Sequence, residues 1–529
     1  MPTRSGLRAA LLALAMALSA CDSAPAPPAD LGPYVRLAEQ DDVPTLDPAH
    51  GYDTRSWQFE EMIFDTLVDY DDDGKIVAEL ASSWDASADG LTYTFHVHDG
   101  VRFTNGREMT SADIRYSIER IVEPRTASIG SEFFRGLVGA EQCDGQQPCS
   151  IDGIELVDAR TIRFRLKAFD PIFLHKLTMP FAAVVPREEV EKWGEDFGRH
   201  PVGTGPFHLQ EWAPGRRILV VRNSDYFVAG IPRVAGVEML LGVTDEVAWL
   251  KYDTGALDAV ELQPSEVPRV RKNPAYAPRL VEITTMRTSY LGMNCLAPPF
   301  TDVRVRRAIN YAVNREKTVR LLYGTAVAAR GILPPNMPGH DNEQPGFAHD
   351  PDAARRLLAE AGYGDGFETT LWVRSDPSAQ QVAQGLQQDL AQVGVRLTIK
   401  VVAWGALLEA VRSQLSVPMF LLGWEADFPD PSNFLDVLFH SRSIGSNNNT
   451  HYTDPNLDAL LDAAAVTREP SQRFEILRRA ERMIVDAAPW APLYYPKTFY
   501  VVHPRLRDFR LHPFRPPRYH QVRLEDATG

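Results

Sequence analysis

Apolar and polar positions recur along this chain with the periods of two and three to four that mark strands and helices. Residues 34–38 (YVRLA) read as a strand, and residues 65–80 as a hairpin with Asp71-Asp72-Asp73-Gly74 at its turn. Residues 91–97 alternate, with Tyr93, Phe95 and Val97 on one face and His96, followed by His98, on the other. Thr110-Ser-Ala-Asp113 has the form of a capping box opening a helix that runs through Arg120, and short strands are expected at 154–156 and 161–166. The second half is clearer. Residues 368–373 predict a strand, 377–393 a helix with Val382, Leu386, Leu390 and Val393 on one stripe ending at Gly394, and 395–402 a further strand. Such a β-α-β unit is right-handed with parallel strands. The carboxyl ends of these strands, and of the apolar run 417–422, are therefore expected on one sheet edge, where open α/β sheets hold their ligands.

The residues at that edge are Arg374, Trp404 and the stretch LLGWEADFPDPSNF, 421–434. The strand empties into Gly423, Trp424 follows, and Asp427 comes three residues later. Pro429 and Pro431 bracket Asp430, so neither helix nor sheet is expected directly after the strand. One guanidinium, two indoles and one carboxylate in a single crevice suit a zwitterion with an organic body. The competing reading makes Trp424 core, Asp427 a backbone cap, and Arg374 a partner for strand-end carbonyls.

A chain of 529 residues is too long for one core and predicts two or three domains. With 44% hydrophobic and 24% charged residues the composition is that of a globular protein, and a formal charge of −15 argues against a nucleic-acid partner. Only the amino terminus approaches the roughly 18 apolar residues of a membrane span, and it falls short. Residues 1–20 read as a signal peptide, with Arg4 and Arg8 ahead of the apolar 9–18. Leu18-Ser-Ala-Cys21 resembles the lipobox of bacterial lipoproteins, which implies lipidation at Cys21; a plain secretory signal is the alternative. Residues 21–33, containing SAPAPPAD, read as a tether. In an exported chain Cys143 and Cys149, which enclose DGQQP, are expected to form a small disulfide, leaving Cys295 buried without a partner.

Other chemistry finds little foothold. Asp69, Asp71, Asp73 and Gly74 match the start of a calcium loop, but its last ligand position falls on Leu80. His96 and His98 lack a third local ligand and read as a solvated strand face. Gly203-Thr-Gly205 is followed by no P-loop lysine, no G-x-S-x-G elbow is present, and no zinc-protease motif begins. No metal and no cofactor is expected.

Three blocks carry a family likeness: ASSWDASADGLTYTFHVHDGVRFTNGREMTSADIRYSIER (81–120), PVGTGPFHLQEWAPGRRILVVRNSDY (201–226) and PFTDVRVRRAINYAVNR (299–315). In this order they resemble the family 5 extracellular solute-binding proteins, the peptide, nickel and related receptors of ABC importers. The likeness covers nearly all of the chain after the leader. It implies an α/β, bilobed periplasmic-binding-protein type II fold of the Venus-flytrap kind, with an extra subdomain in the first lobe. The first lobe would comprise residues 34–65, 196–283 and 497–529, the subdomain 66–195, and the second lobe 284–496. It further implies a non-enzymatic, monomeric lipoprotein, lipid-anchored at the periplasmic or cell-surface face, that delivers short peptides to ABC permease transmembrane subunits. A nickel chelate, an opine or a glycan is the alternative cargo, and a secreted hydrolase using paired carboxylates the alternative class. In peptide-binding members a W-x-x-D supplies the aspartate for the ligand's α-amino group, which falls on Trp424 and Asp427. An arginine just before the helix takes the carboxylate in dipeptide binders, and Arg374 lies within one residue of it, implying a preferred length near two residues. Tyr52 and Trp404 complete the expected ligand set.

Overall fold

Met419, Phe420, Leu421 and Leu422 are all buried, which a strand achieves only with both faces of its sheet covered. That strand, Met419–Glu425, sits inside a large mixed sheet of the computed structural model, which describes residues 33–413 and 417–525. The expected signal peptide, Cys21 and nearly all of the tether lie outside the described residues.

The large sheet contains the expected β-α-β unit. Strands Phe367–Arg374 and Val395–Val402 run parallel in register from Phe367↔Val395 to Arg374↔Val402, and Phe367–Arg374 also runs parallel to Met419–Glu425. The connecting helix is Pro377–Ala391, capped by Asp376, whose side chain accepts from the Ala379 amide at 2.9 Å. It ends two residues before the expected Val393, and Gly394 takes the left-handed turn at φ 84°. Val382, Leu386 and Leu390 pack into one core on this helix's side of the sheet, with Leu371, Val373, Met419 and Leu421. Phe420, Leu422 and the helical residues Leu407, Phe434, Leu438 and Leu477 form a second core.

The longest strand, Trp490–Val502, joins the parts. Its first half pairs antiparallel with Arg287–Met293 and Ala326–Ala328, and its second half with Leu280–Thr284 and Ala259–Glu261. The register slips between Ser289 and Tyr290, opposite Pro492, which has no amide hydrogen to donate. A separate four-stranded sheet combines Tyr34–Ala38 with Gly236–Leu240, Arg217–Arg222 and Phe207–Ala213. Another, built from Ala81–Ala86, Thr92–Val97, Thr161–Arg165 and Ile154–Asp158, carries its own core around Phe95, Phe164 and Phe103.

The local expectations at the amino-terminal end have clear outcomes. The hairpin forms from Val68–Tyr70 and Ile76–Ala78, and Asp71 caps its turn through the Asp73 and Lys75 amides. Asp69, first residue of the calcium-like motif, is taken by the Arg515 and Arg518 guanidiniums instead. The capping box at Thr110 and Asp113 opens a helix, Ser111–Val122. Cys143 and Cys149 are bridged, with Cα atoms 4.6 Å apart, and Cys295 is a free, half-buried thiol.

Candidate ligand-binding site

Pairing with Arg287–Met293 carries the strand beyond Gly423 to Glu425, so Trp424 lies within the ladder rather than after it. The chain then turns at Ala426 through Pro431 and enters a helix, Ser432–Phe439, directly behind the second proline. The turn is braced from within. Asp430 accepts from the Ser432 amide and hydroxyl at 2.9 and 2.6 Å, and its two oxygens receive the Arg473 guanidinium at 2.6 and 2.8 Å. Both partners are buried; burial opposes ionisation of Asp430, yet Arg473 and Ser432 hold its carboxyl below the usual range.

Asn433, 1% exposed on the following helix, ties this turn together. Its side-chain oxygen accepts from the Trp424 indole N–H at 3.0 Å and the Asp427 amide at 3.2 Å, while its Nδ2 donates to Asp427 Oδ2 at 2.9 Å. The other carboxylate oxygen of Asp427 accepts from the Tyr52 hydroxyl at 3.1 Å, across 375 positions of sequence. Burial pushes the Asp427 carboxyl up to about 6; the Asn433 and Tyr52 donors work against that rise, and Glu425 adds to it. The same burial, with Asp427 opposite, raises the Tyr52 phenol above its usual range. Tyr52 is half-exposed and leans on Trp57 and Phe181, with ring centroids 5.7 and 5.4 Å away. Next to Asp427, Phe428 is 1% exposed within the core of the 81–165 sheet, stacked on His175 at 5.8 Å. One turn thus offers a carboxylate and a ring to the amino-terminal part of the chain.

The remaining predicted residues lie at two places. Arg374 and Trp404 line a common cleft of about 60 Å³ at the end of the sheet, with Arg287, Ser289, Gly423 and Tyr494. Trp404 is 48% exposed on its rim, a surface an organic ligand can cover. Arg374 is paired with Asp376, two residues on. Trp424 does not line that cleft: it stands opposite Thr288, packs on the Phe420 and Leu422 side of the sheet, and spends its indole N–H on Asn433. The alternation of the strand explains this, since Gly423 and Trp424 point to opposite faces. Sequence reasoning missed Asn433, Arg473 and Arg287. Asn433 lies two residues after Pro431, at the start of the helix, and had no local signal, and the other two reach the site only through tertiary pairing.

Comparison with known proteins places this geometry in a family. The profile of the middle region of the bacterial extracellular solute-binding proteins, family 5, matches residues 75–446. The glutathione-binding protein GsiB of Salmonella typhimurium is 30% identical over 506 residues, covering 94% of this chain and 96% of the relative. Among solved structures, clavulanic acid biosynthesis oligopeptide binding protein 2 superposes with a TM-score of 0.85 at 27% identity, covering 93% of this chain and 95% of that one. The periplasmic binding protein DppA of Helicobacter pylori, in complex with the peptide STSA, gives a TM-score of 0.79 at 27% identity over 93% of this chain and 98% of its own. With its α/β bilobed architecture, this chain belongs to the family 5 extracellular solute-binding proteins of ABC importers.

Proposed function

We propose that this protein captures short peptides with a free amino terminus and delivers them to the transmembrane subunits of an ABC permease. The observation that carries the reading is the Asp427 carboxylate, half-buried and fixed by neutral donors alone, Asn433 and Tyr52. No cation is paired with it among the described residues, so a ligand ammonium supplies the missing charge. The relatives support this choice: one is named for glutathione, itself a tripeptide with a free α-amino group, and another holds the peptide STSA. In this reading residues 34–65, 196–283 and 497–529 form one lobe with the subdomain 66–195, residues 284–496 form the other, and the ligand's amino end lies beside the Tyr52–Asp427 hydrogen bond. Trp404 covers the ligand's organic body and Arg374 stands toward its carboxylate end, while Trp424 positions Asn433 and the turn.

Native mass spectrometry of the protein as isolated from cells should show bound peptides. Calorimetry with glutathione and with peptides of two to five residues should show that N-acetylation costs two or more orders of magnitude in affinity, on the order of the 3–5 kcal/mol for an unpaired buried charge. Equal affinity for free and acetylated forms refutes the amino-group reading, and a co-purified chelate or sugar in place of peptide refutes the cargo.

A further inference from the structure

The cleft at the end of the large sheet has a charge imbalance that the amino-group site does not use. Its charged residues are Arg287, Arg374 and Asp376. Asp376 is committed twice, to the Ala379 amide that it caps and to Arg374. The Arg287 guanidinium has no hydrogen bond or ion pair with any described residue. Yet an acid is at hand: Arg287 stands directly opposite Glu425 on the antiparallel ladder. Its guanidinium lies instead over Gly423, where a Cβ would come within 2.9 Å of Nε and 3.1 Å of Nη2. A side chain at 423 would displace it; the glycine is the floor on which the guanidinium rests. The amino-terminal end of helix Pro377–Ala391, with Ser378 and Ala379 in the cleft wall, adds its positive pole. Ser289 and Tyr494, paired on the ladder, bring hydroxyls to the same space.

We propose that Arg287 is the receptor of the peptide's carboxylate, with Gly423 holding its guanidinium in the cleft and Arg374, tethered by Asp376, as a second contact. The inference rests on the peptide reading above and names the group that reads the other end of the ligand. A guanidinium left without an acid is stable while water reaches it, and a ligand that displaces that water must bring a negative group. The planar fork of Arg287 favours a bidentate carboxylate over a carboxamide, so the cleft selects free acids.

The test is calorimetry with alanine peptides of two to four residues, each as free acid and as C-terminal amide. The unmutated protein should prefer acids. Arg287→Gln should lower acid affinity about 30-fold or more, as truncating one member of a desolvated charge pair does, and leave amide affinity unchanged. Arg287→Lys should recover part of the loss, and Gly423→Ala should reproduce it with Arg287 intact. The thermal transition of Arg287→Gln should match that of the unmutated protein, because the Arg287 guanidinium bonds to no described residue. An unmutated protein that binds acids and amides alike, or an acid-to-amide ratio unchanged in Arg287→Gln, overturns the proposal and leaves the peptide reading standing. Binding of no peptide in either form overturns both.

Discussion

Asp427 carries its charge on terms set by its neighbours. With its carboxyl pushed up to about 6 by burial, the site without ligand favours the protonated acid at lower pH, whereas an ammonium needs the carboxylate. Binding below that pH must therefore expel a proton, and affinity for free-amino peptides should fall about tenfold per pH unit below pH 6 and level off above about pH 7. Asp427→Asn should abolish that slope, lower affinity for free-amino peptides by about two to three orders of magnitude, and leave N-acetylated peptides unaffected. Calorimetry from pH 4.5 to pH 8 on both proteins decides it, and an undiminished slope in Asp427→Asn assigns the titration elsewhere. At this scale the sequence was informative where the geometry is local: Trp424, Asp427 and the prolines at 429 and 431 are near neighbours, and they fold into one strand end and turn. It was silent about Asn433, whose bonds to both depend on the turn at 426–431 folding the helix start back over the strand end, and about Arg287, whose floor, Gly423, comes from another strand.

The turn that presents Asp427 depends on a buried ion pair between elements. Removing the Arg473 guanidinium leaves the Asp430 carboxylate buried and uncompensated, at a cost of about 3–5 kcal/mol. Arg473→Met should lower stability in chemical denaturation by that amount, and weaken peptide binding because the turn loses its brace. Adding Asp430→Asn should restore much of the stability; a double variant as unstable as the single one shows that Arg473 acts through packing of its stem. Element boundaries were legible where hydrophobic period and capping agree, as at Asp376, Pro377 and Gly394. They were misjudged at the strand ending in Glu425, because its last residues are held by ladder partners rather than by their own propensity.

Across the whole molecule, the proposed closure of the lobes would have a second contact beside the ligand. Phe428, on the turn after the strand Met419–Glu425, is buried in the core of the 81–165 sheet against His175. Deleting that ring costs about 3–5 kcal/mol when the surroundings cannot collapse, and the loss falls on the closed arrangement alone. Phe428→Ala should thus weaken peptide binding by about two to three orders of magnitude while each lobe keeps its own stability. Small-angle scattering should show compaction on adding peptide to the unmutated protein and a larger mean radius of gyration for Phe428→Ala at the same peptide concentration. Identical radii in all states would show that the ring is ordinary core. The arrangement of sheets was not readable from periodicity: among the described residues the partners of Trp490–Val502 come from four separate places in the chain.

That strand also imposes an order in time. Among the described residues, Ala259–Glu261, Leu280–Thr284 and Ala326–Ala328 find their ladder partner only in Trp490–Val502, and Arg287–Met293 finds one of its two there. A growing chain that stops short of residue 490 has made Tyr52, Arg287, Arg374, Trp404 and Asp427, yet it has no seam to hold them in one body. The large sheet is therefore complete only once residues 490–502 have been made, whatever has folded ahead of them.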